Sequence, residues 1–354
     1  MKRKIKVLIV DDSAFMRKSL SILLSSDSNI EIVGTAKDGK EGYEFAKKFR
    51  PDIVTLDVEM PVMDGLTALK LIMKNAPTSV IMVSSITTEG AESTLKAFEY
   101  GAVDFISKEQ SFVSVNITNI KDELIRKIKS IVYQKWNTAL KQKSSLAKTP
   151  FGAASTASRG VLPKIGYNAI ALGVSTGGPI SLQKVIPLLS ENLNVPIFIV
   201  QHMPPKFTKS LADRLNGMSK LTVKEAEQGD LVNRNTVYIA PGGKHMNFTK
   251  NGVNIKILLT DEPTNSLHRP SVDVMFHSAI SIYGKKMLGV IMTGMGKDGL
   301  EGIAKLKKLG GNCLAQNENS CVVYGMPKAV VDAGYADIIV PLDQIANKIN
   351  AVFK

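Results

Sequence analysis

Cysteine is nearly missing from this chain: Cys313 and Cys321 are the only two in 354 residues. That excludes a disulfide framework and fits folding in a reducing cytoplasm. Long apolar runs are missing too; none approaches the roughly 18 residues that a membrane span requires. The opening "MKRKIKVLIVDD" starts like a signal peptide, but Asp11 and Asp12 cut its apolar stretch short. No membrane insertion is expected. Histidine is scarce, with four residues in all, so each can be weighed singly as a general base. Acidic residues are absent from 126–165, a stretch holding nine basic ones, and much of the net charge of +13 resides there. An excess confined to one connecting segment reads as a solvated tether, so nucleic acid is not expected as a partner.

Hydrophobic content of 44% and charged content of 22% are those of a globular protein, and the length allows two separate cores. Patterning fills them in. "KVLIVDD", "EIVGTA", "DIVTLDV", "SVIMVSS" and "DFISK" are short β-rich runs bounded by turn residues. Segments with helical spacing separate them, and a last amphipathic segment over 117–140 lines up Ile125, Ile128, Val132 and Trp136. This predicts a first domain over 1–140, built as a doubly wound α/β sheet. A Ser-, Ala-, Gly- and Lys-rich linker without periodicity follows at 141–164. A second α/β domain is expected over 165–354, with strands "AIALGVS", "PIFIVQH", "TVYIAPG", "MLGVIMTG", "NCLAQN" and "DIIVP". "MNFTKNGVNIKILL" reads as an antiparallel hairpin turning at Asn251-Gly252 in a type I′ turn.

Functional groups of a parallel sheet gather at the carboxyl ends of its strands. In the first domain those ends carry Asp11, Asp12, Asp57, Ser84 and Lys108. Three converging carboxylates repel one another and call for a hard cation; Mg²⁺ keeping several waters fits. An ammonium and a hydroxyl opposite suit an arriving anion. The chemistry implied is phosphoryl transfer to Asp57. "VLIVDDSAFMR", "DIVTLDVEMPVMDG", "VSS" and "DFISK" resemble the receiver domain of bacterial response regulators. That resemblance implies Asp57 as the phosphoacceptor, with Asp11, Asp12, Asp57 and the Glu59 carbonyl around the metal. It also implies Ser84 and Phe105 as a switch pair, and Lys108 as the phosphoryl group's partner.

In the second domain, "GVSTG" places Ser175 in G-x-S-x-G after a strand and before a helix, the setting of a nucleophilic serine. It is not a phosphate loop, for the lysine and spacing are missing. Of the histidines, His277 lies in a helical pattern and His245 and His268 in loops. His202 ends the next strand after Ser175 and is the expected base. Asp298 follows another strand, and is either the orienting carboxylate or, with Glu301, a capping box. "GMGKDG" mimics a dinucleotide fingerprint but lacks the acidic strand end that should follow.

"GVSTGGP", "VQHMPPKFTKSLADRLN", "YIAPGGKHM", "HRPSVDVMF", "IMTGMGKDGLEG" and "NSCVVYGMPKAV" together resemble the catalytic domain of the chemotaxis protein-glutamate methylesterase (CheB) family. The resemblance implies Ser175 as nucleophile, His202 as base, Asp298 as orienting acid, and amides at Thr176 and Met295 as oxyanion donors. It implies no cofactor for the ester hydrolysis. Methyl-accepting chemotaxis receptors would be the substrate, with glutamate demethylation and glutamine deamidation as the activities, and a chemotaxis histidine kinase would be the phosphodonor. The alternative is a response regulator with a nucleic-acid-binding output; no helix-turn-helix or basic recognition helix supports it.

Overall fold

The computed structural model describes residues 3–85, 87–108, 117–146 and 161–353. It divides into two units, Met1–Lys141 and Gln142–Lys354. Of the expected linker at 141–164, residues 147–160 lie outside the described residues.

The first unit alternates β1 (Ile5–Val10), α1 (Ala14–Ser25), β2 (Ile30–Ala36), α2 (Gly39–Phe49), β3 (Ile53–Asp57), α3 (Gly65–Asn75), β4 (Ser79–Ser84), α4 (Thr88–Glu99), β5 (Asp104–Ser107) and α5 (Ile117–Leu146). The sheet is parallel in the order β2-β1-β3-β4-β5. β3 and β4 are buried along their whole length, which is why they read as continuous apolar runs. Strand order reverses between β1 and β3, and a crevice opens there beyond the strand ends. Asp11 and Asp12 follow the first of these strands, and Asp57 ends the second. α5 outlasts the expected 140 and buries Leu124, Ile125, Ile128, Ile131 and Val132. Gly65 is required where α3 begins: a Cβ there would lie 1.9 Å from the Asp57 carbonyl oxygen.

The second unit contains β6 (Ala169–Val174), α6 (Gly178–Val185), β7 (Ile197–Gln201), α7 (Phe207–Met218), β8 (Thr222–Glu225), β9 (Thr236–Ile239), β10 (His245–Asn251), β11 (Asn254–Thr260), α8 (Val272–Tyr283), β12 (Met287–Ile291), α9 (Leu300–Lys308), β13 (Asn312–Gln316), α10 (Met326–Asp332), β14 (Ile338–Val340) and α11 (Leu342–Val352). Seven parallel strands run β14-β13-β12-β6-β7-β9-β8. The chain starts in the middle, builds one flank, then returns to build the other, so order reverses between β6 and β12. β10 and β11 form the separate antiparallel hairpin. Their register pairs Asn251 with Asn254, so the two-residue loop is Gly252-Val253 and not Asn251-Gly252. Only Gly252 takes a positive φ, 62°, which makes the turn type II′ where I′ was expected. β8 was not foreseen; it is an edge strand of four residues, with an exposed or half-buried face that hides its pattern.

Candidate active site

In the first unit Asp11 and Asp57 are buried and Asp12 exposed, and one oxygen from each lies within 4.8 Å of the others. Lys108 Nζ sits 2.6 Å from Asp57 Oδ2 and 3.6 Å from Asp11 Oδ2. Burial pushes the Asp57 carboxyl up to about 6, against the opposing pull of Lys108. Burial disfavours the Lys108 charge, yet Asp57 outweighs it and raises that pKa. Asp11 Oδ2 is buried without a hydrogen-bond partner. An acceptor left open beside two more carboxylates is what a hard cation would satisfy, so the donor set fits Mg²⁺. Ser13 N and Arg17 hold the acidic turn: Ser13 N donates to Asp11 Oδ1, and Arg17 Nη1 to the carbonyls of Asp11 and Asp12. The sequence reading did not single out Arg17.

Glu59 follows β3, its amide 3.4 Å from Asp57 Oδ1. Ser84 is buried at the end of β4, and its hydroxyl donates to the Gly90 carbonyl at 3.1 Å. Phe105 is packed inward, edge-on to Phe98 at 6.2 Å between centroids.

In the second unit, Ser175, His202 and Asp298 leave the carboxyl edge after β6, β7 and β12. The first and last of these strands flank the reversal of strand order. Ser175 N donates to the Thr293 carbonyl at 3.0 Å and its carbonyl accepts from Gly178 N at 2.7 Å, closing a tight turn. The left-handed residue of that turn is Gly177, φ 76°, rather than Ser175. Gly173, the first glycine of the G-x-S-x-G motif, lies inside β6; a Cβ there would strike Val272 at 2.4 Å. Gly294, after β12, faces Ser175 so closely that a Cβ would come 2.9 Å from the serine's own. Met295 follows directly. That loop is stitched to residues 323–326 by Gly294 N to Val323 O, 3.0 Å, and Met326 N to Gly294 O, 2.9 Å. Thr176 is buried, and its carbonyl accepts from Thr293 Oγ1 at 2.9 Å.

His202 Nε2 lies 2.8 Å from Asp298 Oδ2. A carboxylate can only accept, so this contact puts the ring proton on Nε2 and leaves the lone pair on Nδ1. Nδ1 is buried and has no protein partner. The His268 ring stacks on His202 at 4.0 Å.

Asp298 does not make the capping box with Glu301. The N-cap of α9 is Gly299, with no side-chain hydrogen bond. Asp298 caps a different helix: Val272 N donates to Oδ2 at 2.7 Å, and Asp273 N and Ser271 Oγ to Oδ1 at 2.9 and 3.0 Å. Burial would raise its pKa, but His202 and the amides of α8 outweigh this and hold it well below the carboxylate range. Asp273 returns the favour, accepting from Gly302 N of α9 at 2.7 Å. Burial, with Asp298's charge against the Gly302 amide, pushes Asp273 up to about 7. Reading the sequence missed Asp273, because its role appears only when two helix starts meet. His245, expected in a loop, opens β10 and is fully buried, accepting from Ser271 N. His277 lies in α8 as expected.

Residues 170–349 match the family described as CheB methylesterase, and residues 7–116 the response regulator receiver domain. A protein-glutamate methylesterase/protein-glutamine glutaminase of Pyrococcus abyssi is 47% identical over 97% of this chain and 92% of its own length. One from Oleidesulfovibrio alaskensis is 48% identical, with 99% and 100% covered. Among solved structures, the catalytic domain of Thermotoga maritima CheB methylesterase aligns with a TM-score of 0.51 and 45% identity, over 53% of this chain and all of that one. These matches favour a hydrolase output over a nucleic-acid-binding one. No helix among the described residues is long and apolar enough to cross a membrane.

Proposed function

The chain belongs to the CheB methylesterase family, and on that footing we propose a phosphorylation-controlled serine hydrolase acting on methyl-accepting chemotaxis receptors in the cytoplasm. It hydrolyses glutamate methyl esters and deamidates glutamines. One observation carries the reading: the His202–Asp298 pair, with its proton-accepting Nδ1 left open, at the same sheet edge and reversal of strand order as Ser175.

Ser175 Oγ attacks the ester carbonyl while its proton passes to His202 Nδ1. Asp298 keeps the other ring proton on Nε2 and stabilises the imidazolium. The oxyanion rests on the amides of Thr176 and Met295, with the start of α6 adding its positive end. Collapse breaks the bond to the methoxy oxygen, which takes the proton from Nδ1 and leaves as methanol. Water, deprotonated by the same nitrogen, then attacks the acyl-serine and releases glutamate. From a glutamine the leaving group is ammonia. No cofactor enters this cycle.

In the first unit, Asp57 accepts a phosphoryl group from a chemotaxis histidine kinase. Asp11, Asp12, Asp57 and the Glu59 carbonyl would hold Mg²⁺, which would supply charge neutralisation to the phosphoryl oxygens. Lys108 pairs with the phosphoryl group, and Ser84 and Phe105 report its arrival.

Methanol release from methyl-labelled receptor tests the reading. Ser175→Ala should lower the rate by at least about 10³-fold while leaving the fold intact. Retention of more than a few per cent of the rate would remove Ser175 as nucleophile.

A further inference from the structure

Gln201 ends β7 and is 2% exposed. A carboxamide shut away from water must recover its lost hydrogen bonds. Its neighbour across the parallel ladder is Val174, so Gln201 stands where β6 and β7 stop pairing. The next residues, Ser175 and His202, leave the sheet. Gln201 Nε2 donates to both departing chains, at 3.1 Å to the Ser175 carbonyl and 3.2 Å to the His202 carbonyl. An amide nitrogen carries two hydrogens, and this one gives them to the two segments that bear nucleophile and base. Both partners are carbonyls, so only this orientation of the amide fits. Its Oε1 is buried without a donor and lies over Gly178, where a Cβ would approach to 1.9 Å. Gly178 therefore leaves room for Gln201.

The effect reaches one peptide further. The Ser175 carbonyl has two donors, Gly178 N and Gln201 Nε2. A trans peptide is planar, so the N–H of Thr176 points opposite to that carbonyl. Fixing the oxygen fixes the direction of the amide.

We infer that Gln201 is a positioning residue of the esterase reaction: its carboxamide ties the serine's chain to the histidine's chain and aims the Thr176 amide at the oxyanion. This rests on Ser175 acting as nucleophile. Donors held toward developing charge act on the transition state more than on bound substrate, so the loss of Gln201 falls on kcat.

The test is steady-state demethylation of methylated receptor by the full chain carrying Gln201→Met, which keeps length and apolar bulk and removes both donors. kcat should fall about 10- to 100-fold, since a misaimed donor costs less than a missing one. KM should stay within about twofold, and unfolding should remain cooperative. Gly178→Ala keeps Gln201 but drives a methyl to 1.9 Å from its Oε1, with a lesser approach of 2.8 Å to the Val174 side chain; it should reproduce the kcat loss. A folded Gln201→Met enzyme with wild-type kcat would overturn the inference, as would a loss confined to KM. If Gln201→Met does not fold, Gly178→Ala decides: lowered kcat supports the inference and wild-type kcat ends it. If neither variant folds, Gln201 serves the fold alone and the inference fails. Failure of the underlying reading looks different: the wild type would release no methanol, or Ser175→Ala would still do so.

Discussion

Asp298 carries two burdens that one carboxylate can bear because its oxygens face different ways. Oδ2 meets the His202 ring and the Val272 amide; Oδ1 meets Asp273 N and the Ser271 hydroxyl. The capping box with Glu301 that the sequence posed is not made; Asp298 caps α8 instead, and the same carboxylate meets the His202 ring. Asp298→Asn therefore separates two losses. With one acceptor oxygen instead of two, it weakens the start of α8 by about 1 kcal/mol, the usual worth of a cap. It also places an N–H against the ring or forces the wrong tautomer, lowering the rate by on the order of 10⁴. Urea unfolding and methanol release, measured on the same preparation, read the two effects. A variant that loses stability but keeps its rate would leave Asp298 as a cap only. That Ser175, His202 and Asp298 leave one sheet edge was legible in sequence because each follows a strand. Gln201 and Asp273 were not, since both act through main-chain groups brought close by the fold. A lone polar residue closing the apolar run "PIFIVQ" was the one sign of Gln201.

Helices α8 and α9 start beside each other, and each receives a carboxylate from the other's chain. Asp298 caps α8, and Asp273 of α8 accepts from Gly302 N of α9. Burial first, and then the nearby Asp298 charge, raise the Asp273 carboxyl from 3.8 to about 7. A carboxyl raised in the folded state binds its proton more tightly there than in the unfolded chain. Its contribution to stability is fully present below 3.8 and is lost as pH rises through about 7. Asp298 works the other way: its lowered value contributes above the ordinary carboxylate range and is lost on acidification below it. Urea midpoints of wild type and Asp273→Asn, taken from pH 5 to 7.5, isolate the first effect (groups common to both chains cancel). The wild type should lose more stability across this range than the variant; parallel curves would contradict the raised value. Elements were readable wherever a strand was wholly buried. The hairpin turn slipped by one residue because Asn251-Gly252 is a good turn pair, yet the register spends Asn251 on pairing with Asn254.

Both units place their chemistry by the same rule. In the first, strand order reverses between β1 and β3, which deliver Asp11, Asp12 and Asp57; in the second, it reverses between β6 and β12, which deliver Ser175 and Asp298. The doubly wound architecture could be inferred from alternating patterns alone, but the strand order could not. No residue pattern says that β12 returns to lie beside β6. The central claim is that one chain couples phosphoryl transfer at Asp57 to ester hydrolysis at Ser175. The most direct measurement is methanol release from methyl-labelled receptor by the full chain, with and without a small phosphodonor and Mg²⁺, beside Asp57→Asn. The account predicts that the donor raises the wild-type rate by at least about fivefold, the lower end of typical coupling between sites, and leaves Asp57→Asn at its basal rate. A wild type indifferent to the donor, or an Asp57→Asn chain that responds equally, would contradict it.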